Sequence, residues 1–101
     1  MEPQLIDCIR AVAKDIEQTV RPEHIILFNQ KTGVGGKLIS FKLCVVVDAE
    51  DKSEIERRIY LGIESELPFD VVLYTPDEWR ELLNTPHSFA RTINETGVVV
   101  L

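Results

Sequence analysis

The stretch Lys37-Leu38-Ile39-Ser40-Phe41-Lys42-Leu43-Cys44-Val45-Val46-Val47 reads as one strand with two unlike halves. Ile39, Phe41, Leu43, Val45 and Val47 alternate on one face, and Ser40, Lys42, Cys44 and Val46 on the other. The first half is amphipathic and the second is apolar throughout. Such a strand begins near solvent or a cleft and then enters the core.

Upstream, Ile25-Ile26-Leu27-Phe28 is a short apolar run, the mark of a strand buried on both faces. Residues 29–37, with Gly33, Gly35 and Gly36, read as a loop. Before them, Leu5, Ile9, Val12, Ala13, Ile16 and Val20 recur at helical spacing over residues 5–20. Arg21-Pro22 ends that helix, because the residue before proline is pushed out of the helical region. Downstream, Asp51 or Ser53 caps a helix predicted to run to residue 66, with Ile55, Ile59, Ile63 and Leu67 four apart and Pro68 closing it. Residues 69–74 are a third strand, with Asp70 near its start. Thr75-Pro76-Asp77-Glu78 has a capping Thr, Pro at the first helical position and Glu three residues after the Thr, and opens a helix to residue 83. Pro86 opens another short helix through Phe89 and Ile93, ended by Gly97, and residues 98–101 form a last strand. Helices alternating with hydrophobic strands predict an α/β (α+β) architecture: one domain over residues 1–101, a mixed sheet of about four strands packed against helices.

A length of 101 residues with 45% hydrophobic and 28% charged residues suits one globular domain and excludes disordered and fibrous classes. The longest apolar run, Leu43 to Val47, is five residues, far short of a bilayer span. Met1-Glu2-Pro3-Gln4 lacks a basic, apolar leader pattern, so a cytoplasmic location is expected. The net charge of -6 argues against an extensive nucleic-acid surface while leaving room for a small local basic site. Cys8 and Cys44 form no CxxC and no disulfide framework, and read as buried reduced thiols.

Taken in order, these segments resemble a known family. Arg21-Pro22-Glu23-His24-Ile25-Ile26-Leu27-Phe28, a loop, and a strand ending Leu43-Cys44-Val45-Val46-Val47 resemble the minimal nucleotidyltransferase domain of the polymerase-beta superfamily. Asp70-Val71-Val72-Leu73-Tyr74-Thr75-Pro76-Asp77-Glu78-Trp79 is similar to that family's hydrophobic strand followed by T-P-E-E-aromatic. Ser88-Phe89, Arg91-Thr92-Ile93 and Gly97-Val98-Val99-Val100 resemble its tail, so the likeness covers nearly the whole chain. The chemistry motif departs from it. The family carries Gly-Ser after the Phe, a D-x-D pair on the next strand and a third carboxylate one strand later, together holding two metal ions. Here Asn29-Gln30 stand for Gly-Ser, Ser40 and Lys42 for D-x-D, and Asp70 alone matches.

Mg²⁺ requires hard oxygen ligands, and two-metal transfer uses the ions to offset transition-state charge. Residues two apart on a strand point the same way, so Ser40 and Lys42 keep the geometry of the pair with other chemistry. An ammonium at Lys42 repels Mg²⁺ and is expected to pair with Asp70 across neighbouring strands, worth about 4 kcal/mol at ~4 Å and an effective dielectric near 20, before desolvation. The departure from the family's motif therefore leads us to expect a degenerate site with no metal and no cofactor, and the loss of metal-dependent nucleotidyl transfer. The family resemblance supplies the partner: it implies a protein, since small family members pair with a helical protein in bacterial toxin–antitoxin modules; a homo-oligomer is the other partner reading. One alternative is an active nucleotidyltransferase binding Mg²⁺ and ATP through Asp70 and displaced ligands such as Asp48. Another is a non-catalytic nucleotide or anion binder using Lys31, Lys37 and Lys42.

Other motifs carry less. Thr32-Gly33-Val34-Gly35-Gly36-Lys37 fails the P-loop pattern, with Lys31 at the first glycine position and Leu38 at the Ser/Thr position. His24 and His87 read as surface or capping residues, and Ser88 as a helix-start hydroxyl. Glu50, Asp51, Glu54, Glu56, Glu64 and Glu66 form a solvated acidic helix face. Trp79 and Phe89 sit at core spacing, and one of them is a candidate anchor for a partner. Asn94-Glu95-Thr96 matches a glycosylation acceptor, without meaning in a cytoplasmic chain.

Overall fold

The computed structural model describes residues 7–100. The two-halved strand is β2 (Leu38–Val46), an inner strand of a four-stranded sheet. β1 (His24–Thr32) runs antiparallel on one side of it and β3 (Phe69–Tyr74) parallel on the other. β4 (Val98–Val99) pairs antiparallel with the far side of β1, giving the order β3-β2-β1-β4. The expected mixed α/β architecture is the one the chain adopts.

Each face of the sheet has its own helical layer. α1 (Asp7–Val20) turns Ile9, Val12, Ala13 and Ile16 inward, and α2 (Lys52–Gly62) adds Ile59; both pack on Ile25, Leu27, Phe41, Leu43, Val45 and Val47. α3 (Pro76–Leu83) and α4 (Phe89–Thr96) cover the opposite face, where Trp79, Ala90 and Ile93 meet Ile26, Cys44 and Val46. Local chemistry fixes the helix starts. Asp51 accepts from the Ser53 and Glu54 amides, and Ser88 from the Arg91 amide. Thr75 and Glu78 form a reciprocal capping box. Gly97 is required by packing: a Cβ there would lie 2.5 Å from Ile26 Cγ2 and 2.6 Å from the Ile93 carbonyl oxygen.

Several sequence expectations are corrected. Residues 29–32 are strand, because β1 continues as a hairpin with β2, and the tight turn is confined to Val34–Gly36, where Gly35 and Gly36 take positive φ. Ile39 was expected on the buried face but is exposed. The pairing steps from Lys31↔Ser40 to Thr32↔Leu38, so Ile39 is an extra, bulged residue and Leu38 takes the core position. α2 stops at Gly62, with Ile63 extended and still buried. Ser65 then turns the chain by donating to the Leu67 carbonyl and accepting from the Leu67 amide, so Leu67 packs on the core from outside the helix. Pro86 does not open the last helix; Ser88 does. Phe89, placed in the core by spacing, is exposed and stands edge-on to Phe28. Cys44 is buried as expected, but Cys8 is only half-buried, beside Ser65. Leu5 and Leu101 lie outside the described residues.

Candidate functional site

β2 changes character where its helical cover ends. Cys44 and Val46 are sealed beneath α3 and α4, and burial pushes the Cys44 thiol up to about 12. The next positions outward on the same face, Lys42 and Ser40, are exposed and half-buried. The strand thus leaves the core partway along its length, as its sequence predicts.

Strand register brings most of the singled-out residues together. Lys42 pairs with Asn29 of β1 on one side and with Asp70 of β3 on the other, so the three share one rung. Ser40 pairs with Lys31, diagonally next to Lys42. A bulge produces this arrangement. Leu27 pairs with Leu43 and Asn29 with Lys42, leaving Phe28 as the extra residue. Without it, alternation would set Phe28 opposite Lys42 and send Asn29 to the core face. With it, Phe28 packs against the α3/α4 cluster and Asn29 joins Lys42 on the open face.

Gln30 alternates to the opposite face, because it pairs with Phe41, whose side chain belongs to the α1/α2 core, and it borders the group only from the strand beside it. Lys37 lies at the hairpin tip, where its carbonyl accepts the Gly33 amide while the Gly36 amide donates to Gly33. Two of the tip amides are thus used within the turn, and the β1–β2 register sets Lys31 and Lys42 on the open face. A concavity of about 330 Å³ is lined by Asn29, Gln30, Lys31, Ser40, Phe41 and Lys42.

The ion pair expected between Lys42 and Asp70 does not form. The two share a rung, yet the pairs among the described residues lie elsewhere: Lys52–Glu78, Arg57 and Arg58 with Glu54, Arg80–Asp77 and Arg91–Glu95. Both side chains are exposed, where a pair gains about 0–1 kcal/mol and ordering two side chains offsets it. Asp48 lies past the far end of β2, about 20 Å along the chain from Lys42. Among the described residues no three His, Cys, Asp or Glu side chains gather as a metal site. Asp51 and Glu54 of the acidic face have structural tasks, as a cap and as a partner for Arg57 and Arg58.

The sequence did not reveal the Phe28 bulge or what protects the sheet edge at β3. There the Tyr60 hydroxyl accepts the Val71 amide at 2.8 Å. Desolvation raises the Tyr60 pKa above its ordinary value, partly opposed by that hydrogen bond. A tyrosine on the exposed side of a helix was the only hint in the chain.

No protein-family model, curated protein or solved structure matches the chain. No helix among the described residues is long and apolar enough to cross a membrane.

Proposed function

We propose that this chain is a nucleotidyltransferase-fold domain with a degenerate catalytic site, and that it works as a protein-interaction module of the kind found in toxin–antitoxin pairs. The observation that carries this reading is the central rung. Two positions two residues apart on one face of a strand, with a third on the parallel neighbour, are the geometry the family's three carboxylates need, and here those positions hold Ser40, Lys42 and Asp70. A hydroxyl and an ammonium beside one carboxylate do not supply the oxygen ligands that Mg²⁺ demands. Asp48 is too distant to replace them. Calorimetry of the protein with ATP and Mg²⁺ or Mn²⁺ is expected to show no metal-dependent nucleotide binding. Micromolar binding together with AMP transfer to a partner would refute the reading.

One observation favours a second reading, a non-catalytic anion or nucleotide binder. Lys31 and Lys42 stand diagonally on the open face beside the concavity that Asn29 and Ser40 help to line. ATP binding without metal, abolished by Lys42→Ala, is the result that reading requires.

A further inference from the structure

The charge of this protein is unevenly placed. Residues 24–47 contain Lys31, Lys37 and Lys42 and none of the 17 Asp and Glu residues, which all fall elsewhere together with the other eight Lys and Arg. Folding gathers that stretch into a single β1–β2 hairpin, so an acidic protein presents one cationic corner. None of these three lysines is in an ion pair within the described residues. The only acid facing the corner from a neighbouring strand is Asp70, on the Lys42 rung.

The same corner has an unpaired strand edge. β4 covers β1 only at Ile26 and Leu27, with a further bond from the Val100 amide to the Ile25 carbonyl. Beyond Leu27, residues 29–32 of β1 have β2 on one side and, among the described residues, no strand on the other. An exposed edge is a template for an incoming strand unless something blunts it. At the opposite edge of the sheet the Tyr60 hydroxyl occupies the Val71 amide; here the protection is Lys31 and the adjoining Phe28 bulge, and a lysine deters an uncharged or basic strand but not one whose carboxylates neutralise it.

We propose that this edge and the lysine face beside it dock an acidic, extended segment of a partner protein, which adds to the sheet next to residues 29–32 and sets its carboxylates over Lys31 and Lys42. Main-chain pairing supplies the affinity of strand addition, and side chains on alternate positions supply selectivity. Complementary charge chooses the partner and speeds encounter. A polynucleotide fits less well: three lysines neutralise few phosphates, and the net charge of -6 repels a polyanion. The inference rests on the interaction-module reading and names the partner's chemistry.

The test uses ¹⁵N-labelled protein titrated with a blocked decapeptide of alternating Glu and Thr. Controls are the Lys–Thr decapeptide, the Glu–Thr peptide with prolines at alternate positions, and a thymidine decanucleotide. Shift changes are expected at residues 28–32 and 37–42, with binding weakened by salt. The double variant K31E/K42E is expected to raise the Kd at least roughly tenfold and to bind the Lys–Thr peptide instead, whereas Lys14→Glu on α1 leaves both unchanged. The proposal is overturned by silence at millimolar peptide, by shifts mapping elsewhere, by equal binding of the proline peptide, or by tighter binding of the oligonucleotide. A silent peptide alongside absent AMP transfer removes only this site; AMP transfer removes the underlying reading whatever the peptide does.

Discussion

The double substitution S40D/K42D tests whether three strand positions converge on one point. Ser40 and Lys42 lie two residues apart on one face of β2, roughly 7 Å along the strand, and Asp70 shares the Lys42 rung roughly 5 Å across. The variant converts a neutral trio into three carboxylates. Without metal the new repulsion acts among exposed groups, where a close pair costs about 1 kcal/mol or less, so the melting temperature falls by a few degrees. With Mn²⁺ at about 100 times its Kd, binding to the folded form alone stabilises by about 2.7 kcal/mol. For a domain of this size that is a rise of roughly 11–22 °C, well above the initial loss. Differential scanning calorimetry with EDTA or MnCl₂ reads the difference directly. Wild-type protein is expected to show no Mn²⁺-dependent shift, and Lys42→Asp alone a smaller one than the pair. A folded double variant indifferent to Mn²⁺ would show that the side chains diverge and that the inherited-site argument is wrong.

Further outcomes follow from other contacts. Glu78 accepts the Thr75 amide and receives Lys52 Nζ on both carboxylate oxygens at 3.0 Å, and these bonds, the Thr75 amide first, hold its carboxyl below the usual range. Its stabilising contribution is therefore present above the unfolded pKa and is lost as pH falls through the folded one. Glu78→Gln keeps a capping acceptor at N3 and loses the half-exposed Lys52 pair, so it is expected to cost less than about 1 kcal/mol in urea unfolding at pH 7, with the gap from wild type closing in the acid range below the ordinary carboxylate pKa. Two glycines give opposite signs. Gly97→Ala meets Ile26 and two backbone carbonyl oxygens that cannot yield, and is expected to lose about 1–3 kcal/mol. Gly62→Ala, at the end of α2 with nothing within 4 Å, is expected to gain about 0.4–1 kcal/mol. For the thiols, native protein at pH 8 should release one equivalent quickly to a disulfide reagent, from half-buried Cys8. Cys44, buried with its pKa near 12, should react only on unfolding; a fast second equivalent would contradict that burial.

Elements whose signals are local were legible in the chain. Phe69–Tyr74 and Pro76–Leu83 fall where the sequence places them, because Pro68, the apolar run and the Thr75–Glu78 capping box act within a few residues. The passage of β2 from solvent into the core was likewise written in its alternation, and Ser40, Lys42 and Asp70 as a group came from the family resemblance. Tertiary pairing decided the rest. Glycines suggested that the chain turns somewhere in residues 29–37, but hydrogen bonds to β2 carry β1 on to Thr32, and such bonds have no signature in the strand that accepts them. The same holds for the extra residues Phe28 and Ile39: a bulge is a mismatch between two strands, so neither strand states it alone. Those bulges determine that Asn29 faces Lys42 and that Leu38 replaces Ile39 in the core. Where α3 and α4 cease to cover the sheet determines that this face is open. Residue types thus fixed the chemistry available, and the register between strands, set by non-local hydrogen bonding, fixed which of those groups share a surface.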